Sequence, residues 1–414
     1  MKTSHRIQYK KKGLGVAFDV GTTTIAAAAV NMSDGSVVKA ASLPNPQAEW
    51  GADVLSRIQV VRDSPGRLRE LAASAAGAMN ALMRELAPGG VTEIAAAGNP
   101  VMEHILLNIP LDALSRPPYR PSFKKGRTLC ASEIGLETDA LLYVFPLIGG
   151  FVGGDAVAAA LALGLAGKEC VLAVDIGTNS EIMLAIEGAI YAASAAAGPA
   201  FEGGEIRFGM TARKGAIRGV RFDGDRVTLD VIGPPPAKGI CGSGLIDAVA
   251  GLVKAGVIDS TGRIKDRSEV TTNLSARIRE EKGGNSFVLY RGASGEVSLC
   301  QEDIRALQTA KSAMKAGITL LLKKAGVEAG SIKKVFVAGA FGSSLKKDGL
   351  TAIGLFDPRW EVEAVGDAAL DGAVLALASD EKRKEAEGLA EAAKYVSLSG
   401  SARFQDEFMR GMNF

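Results

Sequence analysis

The stretch FDVGTTTIAAAAV, Phe18 to Val30, has a near-copy in VDIGTNSEIMLAI, Val174 to Ile186. Each is an apolar run ending in aspartate, then one apolar residue, Gly, Thr and polar residues, then a second apolar run. The pattern predicts a strand, a tight turn and a returning strand. Asp19 and Asp175 stand where the first strand stops. Gly21 and Gly177 let the backbone turn and approach a ligand with no Cβ in the way. The N–H groups and polar side chains of Thr22, Thr23, Thr178 and Asn179 can then face anionic oxygens. A carboxylate beside a phosphate cradle is unfavourable unless a cation lies between them. Mg²⁺ fits, because it takes one or two carboxylates together with waters and phosphates. Asp19 and Asp175 are therefore the expected catalytic pair and the expected Mg²⁺ holders, through water. Two such turns facing each other would grip a polyphosphate from both sides. One carboxylate would organise the metal shell and the other orient a water in line with the terminal phosphoryl group. The spacing leaves open which does which.

A third glycine turn lies in VFVAGAFGSS, Val335 to Ser344. Here a buried strand runs into Gly339 and Gly342, a geometry that admits a flat ligand such as adenine and ribose. No GxGxxG dinucleotide fingerprint and no Walker A sequence occur.

The rest of the chain supports a duplication. Ahead of the first helices, strands are expected at Gly15 to Phe18, at Ile25 to Val30 and in VVKAASL. Helices follow in ADVLSRIQVV and GRLRELAASAAGAMNALMREL, the latter with Leu68, Leu71, Ala75, Met79, Leu82 and Leu86 on one face. VTEIAAAG and LLYVFPL read as strands and GDAVAAALALGLAG as a helix. The pattern then restarts with CVLAVD, IMLAI and AIYAASA. Residues 210–300 read as an insertion with hairpins and one helix after GSG. A long helix spans about Glu302 to Ala325, and a strand in IKKVFVAGAFG follows. A repeat this long indicates duplicated domains, not a solenoid.

Composition narrows the class. The 414 residues are 47% hydrophobic and 23% charged, with a net charge of +2, so a polyanion partner such as nucleic acid is not expected. The basic run from Arg6 to Lys12 reads as a solvated tail. No apolar segment is long enough to span a bilayer, and no secretory leader is visible, so a cytoplasmic protein with no membrane partner is expected. Cys130, Cys170, Cys241 and Cys300 are far apart, and His5 and His104 are the only histidines. Neither a zinc site nor a ferredoxin-type cluster follows from that spacing. His104, in VMEHILL, reads as a packing or capping residue of a short amphipathic helix. Cys241 reads as a small buried residue, with a reactive thiol as the alternative. Glu181 and Glu205 lie close to the phosphate turns, either to orient water or a lysine or simply to be solvated.

These motifs resemble the superfamily of actin, the sugar kinases and the heat-shock chaperones. DVGTTT resembles its first phosphate motif and DIGTNS its second. VAGAFGSS resembles its adenosine motif, which adds Ala340 and Phe341 to Gly339 and Gly342 as nucleotide contacts. GPAFEGGEI resembles the Gly-Gly turn that contacts phosphate, making Gly203 and Gly204 candidates. A closer resemblance covers nearly the whole chain. NPQAEWGADVLSRI, GNPVMEHILL, GGFVGGDAVAA, GICGSGLIDAVA, QEDIRALQTAKSA and GLFDPRWEVEAVGDAALDGA are similar to the ATPase part of reductive activators of corrinoid proteins. That resemblance implies two duplicated α/β domains of the ribonuclease-H type, with ATP and Mg²⁺ in the cleft between them. The boundaries expected are a basic tail at 1–13, a first domain at 14–168 completed by 350–414, and a second at 169–349. The C-terminal helix around Asp367 to Ala378 is expected to cross back onto the first domain. The implied function is ATP-driven reduction of cob(II)amide to cob(I)amide on a partner corrinoid protein. The family's iron–sulfur domain is not recognisable here. No cluster is therefore expected in this chain, and a separate ferredoxin-like donor is expected. A homodimer stays open. A small-molecule kinase and a non-enzymatic nucleotide switch are the alternatives.

Overall fold

The computed structural model describes residues 12–234, 236–293, 295–339 and 345–414. Strands β1 (Leu14–Val20), β2 (Thr24–Asn31) and β3 (Val37–Pro44) form an antiparallel meander. Helices α1 (Val54–Asp63) and α2 (Arg67–Leu86) lead to β4 (Glu93–Gly98), which returns parallel to β1. Helix α3 (Pro100–Leu106), β5 (Arg127–Cys130), β6 (Leu141–Val144) and α4 (Gly154–Ala162) follow. The meander then repeats as β7 (Val171–Asp175), β8 (Asn179–Ile186) and β9 (Ala189–Ala196).

The expected insertion contains β10 (Ala216–Asp223), β11 (Arg226–Val231), β12 (Gly239–Ile240), α5 (Gly242–Lys254), β13 (Ile278–Arg279), β14 (Ser286–Gly292) and β15 (Gly295–Cys300). It builds two small sheets, β11-β10-β12 and β13-β14-β15. The chain ends with α6 (Gln301–Ala325), β16 (Lys334–Ala338), α7 (Lys347–Ala352), β17 (Glu361–Gly366), α8 (Ala368–Ala378), α9 (Asp380–Ala392), β18 (Lys394–Tyr395) and α10 (Ala402–Gly411).

The two large sheets have the orders β3-β2-β1-β4-β6-β5 and β17-β16-β7-β8-β9-β18. Read outward from the meander, β3-β2-β1-β4-β6 and β9-β8-β7-β16-β17 are the same topology. The duplicated turn is thus embedded in a duplicated sheet. The chain forms two compact units. One holds the residues up to Glu169, with Ala185–Ala192 and Asp367–Tyr395; the other holds Cys170–Leu184, Ala193–Gly366 and Val396–Phe414. Of the segment 350–414 expected to complete the first domain, only Asp367–Tyr395 groups with it.

In the first unit, alternation along β1 sends Val16, Phe18 and Val20 into a core shared with Ala75, Met79, Leu82 and Leu86 of α2. Burying each of the larger side chains contributes about 1.5–3 kcal/mol. The opposite face carries small buried residues, Ala17, Ala28, Ala95 and Ala97. Their size lets α8 pack closely on β1, β2 and β4. Gly372 of α8 has the same role against α4, because a Cβ there would collide with the Ala158 carbonyl. In the second unit, α6 buries Ile304, Leu307, Ala310 and Met314. It starts at a capping box, with the Cys300 N–H donating to Asp303 Oδ2 at 2.9 Å, and ends at Gly326 with φ +72°. Among the described residues, no helix is long and apolar enough to cross a membrane.

Candidate functional site

The first turn is built against the carboxyl ends of parallel strands. Asp19 and Val20 of β1 stand opposite Ala97 and Gly98 of β4. Gly21 is required by the turn itself: a Cβ would lie 2.6 Å from the Thr24 carbonyl oxygen. Three successive carbonyls are then tied from behind. Asn45 Nδ2 donates to Gly21 O at 2.8 Å and Arg57 Nη2 to Thr22 O at 2.6 Å. The Asn45 N–H donates to Thr23 O at 2.8 Å. A trans peptide points its C=O and the following N–H in opposite directions. Fixing the carbonyls of Gly21 and Thr22 therefore aims the N–H groups of Thr22 and Thr23 away from the backing residues. Asn99 adds a fourth tie, donating from Nδ2 to Thr22 Oγ1 at 2.9 Å while its Oδ1 caps α3 at Val101 N and Met102 N.

The backing comes from residues of NPQAEWGADVLSRI, to none of which the sequence assigns an individual role. Asn45 and Gln47 precede α1, and Arg57 lies in its first half. Arg57 is 0% exposed. Its other bonds run to Gly51 O at 3.0 Å, Gln47 Oε1 at 3.0 Å and Met102 Sδ at 3.0 Å. Burial lowers its pKa to about 10, partly opposed by Asp53, so the guanidinium stays charged at neutral pH.

Two more carboxyl groups stand beside this turn. The helix carrying His104 is buried along its whole length, which corrects the amphipathic reading. Glu103 within it accepts from the Gly98 N–H at 3.2 Å through Oε1. Its Oε2 is buried without a hydrogen-bond partner. Gly154 leaves room for the Glu103 carboxyl, because a Cβ at 154 would strike it. Asp155 follows in the first turn of α4. Burial, and then the nearby Asp155, push the Glu103 pKa well above the carboxylate range. Burial raises Asp155 to about 6, against lowering hydrogen bonds from backbone N–H groups, including that of Ala156. An acidic residue among the apolar residues of PVMEHIL, beside His104, and an aspartate after a Gly-Gly helix start, were the available sequence signals for this pair.

Unfolded Glu103 ionises at about 4.3, whereas the folded state keeps its proton to higher pH. The unfolded state binds fewer protons between those limits, so Glu103 destabilises the fold progressively as pH rises above about 4.3. Glu103→Gln removes that penalty. Thermal melts from pH 4 to pH 8 should show the variant gaining on the wild type as pH rises. A pH-independent difference would contradict the assignment.

His104 packs as expected. Its Nδ1–H donates to Pro100 O at 2.6 Å, its Nε2 accepts from the Ser122 N–H at 3.0 Å, and its ring stacks on Phe123. Burial lowers its pKa to about 4, so it is neutral.

The second unit repeats the strand-end arrangement. Asp175 ends β7 opposite Ala338 of the parallel β16. The next residue, Gly339, has φ +98°, and a Cβ there would lie 2.6 Å from Asp175 Oδ1 and 2.9 Å from Ile176 O. The second and third glycine turns are thus in contact through the Asp175 carboxylate. Ala340, Phe341 and Gly342, the remaining expected adenosine contacts, lie outside the described residues.

Thr178 has a partner that sequence reading missed. Its N–H and hydroxyl donate to Glu202 Oε1 at 2.7 and 3.1 Å. Burial raises the Glu202 pKa, and those two bonds oppose the shift. Gly177 is half-buried, with room for a Cβ only at 3.4 Å from Asn179 O and Glu202 Oε1. Asn179 opens β8 and is half-buried. The Gly203 N–H donates to Ala200 O at 3.0 Å and the Gly204 N–H to Pro199 O at 2.9 Å. Both glycines pack tightly, Gly203 on Met210 and Gly204 on Pro199. Glu181 is buried and accepts from Ser194 Oγ at 3.2 Å, whereas Glu205 is exposed with φ +58°. Cys241 is buried, with its thiol 3.4 Å from Ile217 O.

Comparisons with known proteins agree with this architecture. Residues 14–168 match the RACo middle region, and residues 169–414 match the C-terminal domain of RACo, the ASKHA domain. Corrinoid activation enzyme RamQ of Eubacterium limosum is 28% identical over 417 residues, covering 97% of this chain and 70% of RamQ. The Co(II) methylated amine-specific corrinoid protein reductase of Methanosarcina barkeri is 28% identical over 282 residues, covering 64% of this chain and 51% of that protein. A solved structure of a reductive activator for corrinoid, iron-sulfur protein is 33% identical with a TM-score of 0.87, covering 98% of this chain and 66% of that one. This chain therefore spans between about half and 70% of the length of these relatives. With its α/β ASKHA fold and both regions matched end to end, the chain belongs to the RACo family.

Proposed function

We propose that this chain binds and hydrolyses Mg-ATP, and that hydrolysis drives the reduction of cob(II)amide to cob(I)amide on a partner corrinoid protein. The observation that carries the nucleotide part is the first turn, whose Gly21 and Thr22 carbonyls are tied back so that successive N–H groups face outward. The corrinoid part rests on family membership and on the named activities of the relatives.

The ion expected with the nucleotide suits the donors present. Asp19 and Asp175 offer half-buried carboxylate oxygens at strand ends. Among the described residues, no three His, Cys, Asp or Glu side chains converge as a metal cage. A hard cation that keeps its waters and takes phosphate oxygens needs no such cage. When bound, Mg²⁺ would neutralise charge developing on the transferred phosphoryl group. Asp19 and Asp175, each at the strand end of its own unit, are the candidates to hold its waters. Gly203 and Gly204 would contribute by shaping the backbone near the second turn, since their N–H groups bond within the loop.

The redox step balances with one external electron. ATP and water give ADP and phosphate. A separate reduced iron–sulfur donor gives up one electron, and Co(II) becomes Co(I). Coupling requires that ATP bind two conformations of the chain with different affinity, because a ligand with equal affinity for both shifts nothing. Phosphate release measured with and without a corrinoid protein tests the reading. Slow hydrolysis alone and faster hydrolysis with the corrinoid protein are expected. Turnover on a sugar or short acid, with no response to corrinoid protein, would favour a small-molecule kinase instead.

A further inference from the structure

Arg57 presents an unbalanced charge. It is fully buried, and among the described residues its hydrogen bonds go to uncharged acceptors: the carbonyls of Gly51 and Thr22, the Gln47 amide and the Met102 sulfur. The carboxylate that acts on it, Asp53, spends Oδ1 on the α1 cap, accepting from the Ser56 N–H at 2.9 Å. A buried cation whose acting carboxylate is not hydrogen-bonded to it among the described residues is costly, and a ligand anion would offset that cost. The place where one can arrive is across the turn. The guanidinium bonds Thr22 O, and the N–H of that same peptide belongs to Thr23, pointing the opposite way. A cation on the carbonyl polarises the peptide and strengthens the N–H as a donor.

We propose that Arg57 is a positioning residue that supplies the buried counter-charge for the ligand's phosphates, acting through the Thr22–Thr23 peptide. This rests on the reading of the chain as a nucleotide-binding protein, and it names what the residue discriminates. Arg57 favours ligands by their phosphate charge and is indifferent to the nucleoside.

The test is the ratio of ATP affinity to adenosine affinity, by calorimetry on the full chain, for wild type, Arg57→Gln and Arg57→Lys. Arg57→Gln keeps a donor for Thr22 O and loses the charge. It should weaken ATP by about tenfold or more, a change of about 1.4 kcal/mol, and leave adenosine within about twofold. Arg57→Lys keeps the charge and loses the fork, so its ratio should stay within about threefold of wild type. Equal loss of ATP and adenosine in Arg57→Gln would mean a merely structural role and overturn the proposal, as would unchanged ATP affinity. Should Arg57→Gln fail to fold, Arg57→Lys decides: a collapsed ratio there overturns it. Wild-type protein that binds no ATP would instead overturn the nucleotide reading itself, and the two failures are told apart by that control.

Discussion

Asp175→Asn should lower ATP turnover on the order of 10³-fold, the size of effect that follows loss of one preorganised charge at a reacting phosphoryl group, while the melting temperature stays within a few degrees. Asparagine is isosteric with aspartate, so the close fit against Gly339 is kept. What is lost is the negative charge that would hold the waters of Mg²⁺. The measurement is phosphate release at saturating ATP, with melting curves run alongside. Undiminished turnover in a folded variant would remove Asp175 from the chemistry.

Gly339→Ala should be nearly as damaging for a different reason. Its φ of +98° is a conformation that residues with a Cβ adopt only at a cost of about 1–2 kcal/mol. The new methyl group would also lie 2.6 Å from Asp175 Oδ1 and must push the carboxylate aside. Misplacing a reacting group by about 1 Å costs roughly 100-fold in rate, and turnover should fall by at least that much. Gly400→Ala separates the two causes. Gly400 has φ +71° with nothing within 4 Å of a Cβ. It should share the loss of stability and keep wild-type turnover. Equal activity loss in both variants would mean that backbone strain, not the Asp175 contact, governs the site.

The parts of this site that were legible in the sequence are those written locally. A strand that ends in Asp-x-Gly-Thr is a short-range pattern, and its copy in the second half announced the duplicated meander. The face of α2 from Leu68 to Leu86 was readable from its period alone, and every residue on it is buried. What was not legible is the tertiary backing. Arg57 sits 35 positions from Thr22, and in VLSRIQVV it looks like the polar side of a surface helix. Asn45 and Gln47 look like ordinary loop residues until their bonds to Gly21 and Arg57 are seen. Glu202 was hidden by the glycines beside it, which drew the reading toward Gly203 and Gly204. Glu103 looks like one acid of a short helix, because no local pattern reports that a helix is buried on all sides. In each case the missing information is a long-range contact that sequence spacing does not encode.

The central claim is that ATP hydrolysis by this chain drives an electron onto cobalt. The most direct measurement follows the visible spectrum of a cob(II)amide-loaded corrinoid protein mixed with this chain and a reduced iron–sulfur donor. The account predicts cob(I)amide on addition of Mg-ATP, and none without nucleotide or with Asp175→Asn. Cob(I)amide formation at the same rate and extent with and without ATP would contradict it.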